Sequence, residues 1–327
     1  MTMALLEVKD LKMHYQTQQG AVKAIDGLSF ELPVQGTLGI AGESGCGKSS
    51  LGLSILRLLP KNGRFVDGSI KFDGQNLLDM SEPEFRDQIR WKRISMVFQG
   101  AMNALNPVIR VGDQIAESII HTEGKSAKEA YERTTELLEM VGISPHRAKE
   151  YPHEFSGGMK QRAVIAMALA CRPDLVIADE PTTALDTLVR AQVMQTLIEL
   201  REKFSLSMIL ISHDLPIIAK TCDQVMIMYA GKIMETGDTV SVFTKPLHPY
   251  TQGLITAVPH IRAEQTEIKA IPGHPPDLLN PPSGCVFHPR CPIADKECEK
   301  LEPTLRSFGK QMVACHKLTS ESAAEVV

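Results

Sequence analysis

Gly42-Glu43-Ser44-Gly45-Cys46-Gly47-Lys48-Ser49 reads Gly-x-x-x-x-Gly-Lys-Ser, a match to the phosphate-binding loop at every fixed position. Glycines let a backbone fold around an anion with its amides turned inward, and a helix that begins at Lys48 aims its positive dipole end the same way. In that setting Lys48 reaches the β and γ phosphates of a nucleotide and the Ser49 hydroxyl ligates magnesium, with Ser50 following in the first helical turn. The apolar run Thr37 to Ala41 enters the loop as a strand, and helical spacing leaves it from Lys48 to Leu59.

Outward from the loop, Leu5 to Val8 and Ala24 to Leu32 read as strands, Gly68 to Leu78 as a hairpin and Ile94 to Gln99 as a further strand. Residues 110 to 150 carry helical spacing with charges between, which predicts a helical insert. Beyond it, helices over Gly158 to Ala170 and Val189 to Lys203 alternate with strands over Leu175 to Ala178 and Met208 to Ser212, the pattern of a largely parallel α/β sheet. The run Leu175-Val176-Ile177-Ala178-Asp179-Glu180 delivers two carboxylates at a strand's C-terminal end, where ligands bind in such sheets. Asp179 would hold magnesium through water, and Glu180 would polarise an attacking water. Ser156, Gly157 and Gly158 open a helix with a candidate N-cap and exposed amides, a second anion site or simply a well-capped helix.

The 327 residues carry 35 Lys+Arg against 39 Asp+Glu, a net charge of −4, and 43% are apolar. A mean hydropathy of −0.07 fits a globular protein, and the mildly acidic balance lacks the footprint of a dedicated nucleic-acid binder. No apolar run approaches the roughly 20 residues of a membrane-spanning helix. The N-terminus lacks the features of a secretory signal, so a cytosolic location is expected and the seven cysteines read as thiols or metal ligands. Eleven of the 20 prolines fall between Pro246 and Pro303, and four cysteines between Cys285 and Cys315. Residues 246–327 are therefore read as a separate small module, too proline-rich to be held by core burial alone and suited to a metal staple.

Together these residues resemble an ATP-binding cassette, the nucleotide-binding subunit of an ABC transporter. The resemblance implies a P-loop NTPase with a RecA-like core, an antiparallel β subdomain and a helical subdomain, here residues 4–245 with the helical insert at about 101–156. By the same resemblance Tyr15 stacks on adenine, Gln99 touches magnesium and reports to membrane domains, Asp186 in Ala184-Leu185-Asp186 links two subunits, and His213 senses the γ phosphate. Ser156, Gly157 and Gly158 become the family signature, which caps the γ phosphate held by the opposite subunit. Phe155, Met159 and Gly100 depart from the commoner signature leucine and glutamine and from an acid after the glutamine.

Asn106-Pro107, His248-Pro249-Tyr250-Thr251 and the cysteine-rich tail extend the resemblance to the peptide and nickel importer branch. There it implies a four-iron iron–sulfur cluster on Cys285, Cys291, Cys298 and Cys315, with zinc, which spacing alone favours, as the alternative, free thiols as the last reading, and His288 and His316 as alternative ligands that otherwise read as surface residues. Cys46, Cys171 and Cys222 read as packing residues. The implied function is an ATP-hydrolysing importer subunit for peptides or related small solutes, on the cytoplasmic face of the membrane and without a nucleic-acid partner. It would pair with a homologous subunit, two transmembrane permeases and an extracytoplasmic solute-binding protein. The rival is a soluble cassette ATPase acting on nucleic acid or ribosomes. Because the tail is read as separate from the phosphate loop, cysteine substitutions there are expected to spare ATP binding.

Overall fold

The computed structural model describes residues 4–100, 104–183, 185–257 and 271–318. Ala184 of the Ala184-Leu185-Asp186 motif, the first three residues of the expected helical insert and the last nine of the tail lie outside the described residues. The chain divides into two compact units, one of Ala4–Leu32, Thr37–Asn76 and Ser212–Val327, the other chiefly of Pro33–Gly36 and Leu77–Ile211.

The first unit, which holds the phosphate loop, contains an antiparallel sheet ordered Gly20–Pro33, Ala4–Thr17, Gly63–Phe72, Gln75–Asn76. The two opening strands run 14 residues each, far longer than their apolar cores suggest. Pairing carries them on: Leu6 faces Phe72 and Val8 faces Ile70, all four buried, and the ladder continues to Tyr15 opposite Gly63. The hairpin expected at Gly68 to Leu78 is realised only by the short partner Gln75–Asn76.

A second set of strands in this unit runs Arg306–Phe308, Gln311–Val313, Lys232–Asp238, Gln224–Tyr229, Thr37–Ala41. Thr37–Ala41 is buried at every position and pairs in parallel with Gln224–Tyr229, as its uninterrupted apolar character requires. The tail supplies two of these strands, with Gln311–Val313 laid antiparallel on Lys232–Asp238. After the loop the helix spans only Lys48–Ile55. Its extension to Leu59 fails because Arg57 turns left-handed (φ 52°), Leu58 N reaches back to Leu53 O at 2.8 Å, and Pro60 cannot continue a helix.

In the other unit, three parallel strands, Ile94–Val97, Leu175–Asp179 and Ser207–Ile211, are wholly buried. The helical insert consists of Val111–Glu123 and Ala127–Met140. Gly124 ends the first in a left-handed conformation, and a capping box starts the second: Ser126 Oγ accepts from Glu129 N at 3.3 Å while Glu129 Oε2 accepts from Ser126 N at 3.0 Å. Ile115, Ile119, Leu137 and Leu138 bury one face of each helix.

Candidate functional site

The phosphate loop leaves the buried strand Thr37–Ala41 and closes at Gly47, whose backbone is left-handed (φ 106°) and whose Cβ, if present, would lie 2.2 Å from Ala24 O. No side chain fits there, which is why the motif demands glycine. Lys48 is buried, with Nζ donating to Gly42 O at 2.7 Å and Glu43 O at 2.9 Å. The ammonium thus rests on the loop's own carbonyls, with the buried Cys46 thiol 3.6 Å away. Ser49 and Ser50 are half-buried in the first helical turn, and Ser50 Oγ lies 3.0 Å from Tyr15 Oη. The Tyr15 ring is accordingly fixed beside the loop helix. His213 is exposed, and the preceding Ser212 N donates to Ile40 O at 3.1 Å, which sets this segment beside the strand that feeds the loop.

In the other unit, Asp179 closes the strand Leu175–Asp179 and is buried. Glu180 follows in a left-handed conformation (φ 44°), an uncommon state for a residue with a Cβ and one that concentrates at functional sites. Its Oε2 accepts from Gln99 Nε2 at 3.0 Å and from Thr183 Oγ1 at 2.9 Å. Two residues 81 positions apart in sequence, both singled out for the site, therefore meet on one carboxylate oxygen. Ser156 caps the helix Gly157–Ala168 with Oγ accepting from Met159 N at 3.4 Å. Asp186 caps the helix Thr187–Phe204 by accepting from Val189 N at 3.0 Å, while remaining exposed. Within this unit the Asp179 carboxylate and the Gln99 amide oxygen are hard oxygen donors of the kind magnesium takes.

One set of contacts has no counterpart in the motif reading. The Glu43 carboxylate accepts a fork from Arg290, Nη1 to Oε2 at 2.5 Å and Nη2 to Oε1 at 2.9 Å, and Glu43 N donates to Tyr250 Oη at 2.9 Å. His248-Pro249-Tyr250-Thr251 stood out in the sequence, but nothing there signals where Tyr250 goes, and Arg290 carries no motif at all.

Of the tail cysteines, Cys285, Cys298 and Cys315 are buried and Cys291 is half-buried. Burial raises the thiol pKa values of Cys285, Cys291 and Cys315, that of Cys285 to about 11, and neighbouring tail cysteines push each the same way. The four thiols therefore share one neighbourhood. Among the described residues, however, no three His, Cys, Asp or Glu side chains are arranged to hold a metal ion. His288 Nδ1 lies 3.0 Å from Cys285 O and His316 Nε2 2.9 Å from Leu301 O, so both rings are engaged by backbone carbonyls. Cys46, Cys171 and Cys222 are buried, consistent with packing.

Residues 25–183 match the family model described as ABC transporter, and residues 234–298 match that described as Oligopeptide/dipeptide transporter, C-terminal region. The oligopeptide transport ATP-binding protein OppD of Escherichia coli (strain K12) is 47% identical over 97% of this chain and 94% of its own length. The dipeptide transport ATP-binding protein DppD of Haemophilus influenzae (strain ATCC 51907 / DSM 11121 / KW20 / Rd) is 42% identical over 99% of this chain and 98% of its own. Among solved structures, cbiO1 from Clostridium perfringens, part of the ABC transporter complex cbiONQ, superposes with a TM-score of 0.64 at 27% identity, covering 74% of this chain and 91% of its own. The cassette MJ0796, in a dimeric post-hydrolysis state bound to ADP and Pi, gives a TM-score of 0.64 at 25% identity over 72% and 98% of the two chains.

Proposed function

Since the chain belongs to the ABC transporter ATP-binding proteins, in their oligopeptide and dipeptide branch, we propose that it is the ATP-hydrolysing subunit of a peptide importer. Identity to transport proteins over more than nine-tenths of both chains favours the importer over a soluble ATPase acting on nucleic acid or ribosomes.

Within this reading Gly42, Ser44, Gly45, Gly47 and Lys48 cradle the phosphates, Ser49, Ser50, Asp179 and Gln99 serve the metal side, and Tyr15 carries the adenine. Magnesium supplies charge neutralisation on the β and γ oxygens when bound. Glu180 takes the proton of the attacking water, and the observation that carries the reading is its carboxylate, held by Gln99 and Thr183 at the end of a buried strand. His213 contacts the γ phosphate, and Ser156, Gly157, Gly158 and Asp186 complete the site of a second ATP-binding subunit, a homologous chain in a heterodimer. The partners are two transmembrane permeases and an extracytoplasmic binding protein. In this reading the chain sits on the cytoplasmic face, attached through those permeases; no helix among the described residues is long and apolar enough to cross a membrane.

The division into a cassette over residues 4–245 and a tail over 246–327 stands as part of this proposal. A metal on Cys285, Cys291, Cys298 and Cys315, iron–sulfur first and zinc second, is supported by the shared neighbourhood of the thiols, although the side chains do not converge on one point. The importer reading is tested by reconstituting the chain with its permeases and partner subunit and measuring ATP turnover with and without peptide-loaded binding protein. Peptide-dependent stimulation is expected. ATP turnover indifferent to peptide but stimulated by another solute overturns the peptide substrate.

A further inference from the structure

Glu43, the second residue of the phosphate loop, has three polar groups and each has a partner. Its carbonyl accepts from Lys48 Nζ at 2.9 Å, its amide donates to Tyr250 Oη at 2.9 Å, and its carboxylate takes the Arg290 fork. Only the first partner belongs to the loop; the other two come from beyond residue 245.

The Arg290 side chain is 5% exposed. Its Nε donates to Pro272 O at 2.7 Å and its Nη1 to Tyr229 Oη at 3.2 Å, and the guanidinium lies 5.7 Å from the centre of the Tyr229 ring. Pairing with Glu43 raises the Arg290 pKa further, so the charge is permanent. Tyr250 is fully buried, and its ring packs 4.7 Å from Tyr229 and 5.2 Å from Phe287, centre to centre. Tyr229 ends the strand that pairs with Thr37–Ala41, the strand that feeds the loop. Phe287 and Arg290 both lie between Cys285 and Cys291. The cysteine-bearing segment is thus packed directly onto the base of the phosphate loop.

We propose that the C-terminal tail is a strut for the phosphate loop, with Arg290 and Tyr250 as positioning residues that set its affinity for nucleotide. A lysine that turns from the loop carbonyls toward bound phosphate leaves the Glu43 carbonyl without that partner, whereas the amide and carboxylate stay anchored from the tail. A bidentate guanidinium–carboxylate pair fixes orientation as well as distance, which a single lysine contact does not. Neither tail residue touches the reacting atoms, so the strut acts on binding and leaves the chemical step alone.

The proposal rests on the phosphate loop binding ATP, and the test separates the two. Dissociation constants for a fluorescent ATP analogue are measured on the full chain for wild type, R290A, R290K, E43Q and R290A/E43Q, and KM and kcat on the reconstituted complex. R290A is expected to weaken binding about tenfold, the size of one charge-assisted hydrogen bond, with kcat at saturation unchanged. R290K keeps the charge without the fork and falls between wild type and R290A. The double variant should be no weaker than R290A alone, because both changes remove one interaction. R290K and E43Q keep the side-chain volume, so they read the strut even if R290A fails to fold. Wild-type affinity in folded R290K and E43Q overturns the strut, as does a fall in kcat at unchanged KM or additive losses in the double variant. A wild-type chain that does not bind the analogue overturns the nucleotide reading and the strut with it.

Discussion

Glu180 shows how a single residue concentrates the chemistry. A left-handed backbone turns its carboxylate off the strand end, and Gln99 and Thr183 both donate to one oxygen. Glu180→Gln keeps that shape and removes the base, so turnover in the complex should fall roughly 100-fold or more while ATP affinity stays within about twofold of wild type. Near-normal turnover would take Glu180 out of the catalytic role. His248 is a residue whose part is structural. Burial drives its imidazole down to about 3, and its Nδ1 accepts from Tyr250 N at 3.0 Å, capping Pro249–Thr256. A base with its folded pKa below the unfolded value of about 6.5 favours the folded state above pH 6.5, and that contribution drains away as pH falls toward 3, at about 1.4 kcal/mol per pH unit. Glu235, buried against the backbone amides of Leu247 and His248, has a raised pKa and acts with the opposite sign, losing its contribution as pH rises through that value. The comparison is therefore made with His248→Asn, which retains a cap acceptor. Between pH 6.5 and 5 the variant should lose less stability than wild type in urea unfolding, and identical slopes would exclude His248 as the titrating group.

Helix starts carry the site at the element scale, and one glycine sets their spacing. A Cβ on Gly158 would lie 2.3 Å from Val189 Cγ1, so the helix Gly157–Ala168 approaches Thr187–Phe204 only because residue 158 has no side chain. Gly158→Ala should cost about 1–3 kcal/mol through this overlap, and Gly158→Ala with Val189→Ala should recover most of it. A single variant as stable as wild type in thermal unfolding would show that the pair has room. The same spacing couples the signature start to the Asp186 cap, because Val189 is also the amide donor to Asp186. Much of this was legible in the sequence: the phosphate loop, the acidic strand end, the Ser156 start and the strand Thr37–Ala41 all follow from local chemistry and periodicity. What was not legible came from pairing. The opening strands outrun their apolar cores, reaching 14 residues each, because pairing continues the ladder, and the loop helix stops early at a left-handed Arg57 that no pattern marks. The Glu43–Arg290 pair joins residues 247 positions apart, and a charged residue in a proline-rich tail looks like any solvated one.

At the scale of the molecule the open question is what the tail does for the rest of the chain. Read as a separate module, it predicts cysteine substitutions that loosen the tail and spare ATP binding. Its packing argues otherwise. Cys285 N donates to Cys298 O at 2.8 Å, Cys315 packs with Leu247 and Val313, and the segment between Cys285 and Cys291 carries Phe287 and Arg290 onto Tyr229, Tyr250 and Glu43. On the metal reading proposed above, a metal joining the four thiols would add to the stability of a tail otherwise held by a few short elements and its packing on Tyr229. Metal binding would require the thiols to deprotonate. On the iron–sulfur reading proposed above, protein purified without oxygen should carry iron and sulfide and be coloured. Stoichiometric zinc in colourless protein would replace the cluster with the zinc alternative, and metal-free protein with an unaltered melting temperature would remove both. If metal is present, Cys298→Ser should release it, lower the melting temperature and weaken nucleotide binding in the same direction as Arg290→Ala. ATP affinity unchanged on metal loss would mean that the segment holding Phe287 and Arg290 keeps its place without the cysteines, and that the loop's anchor and the metal site are independent.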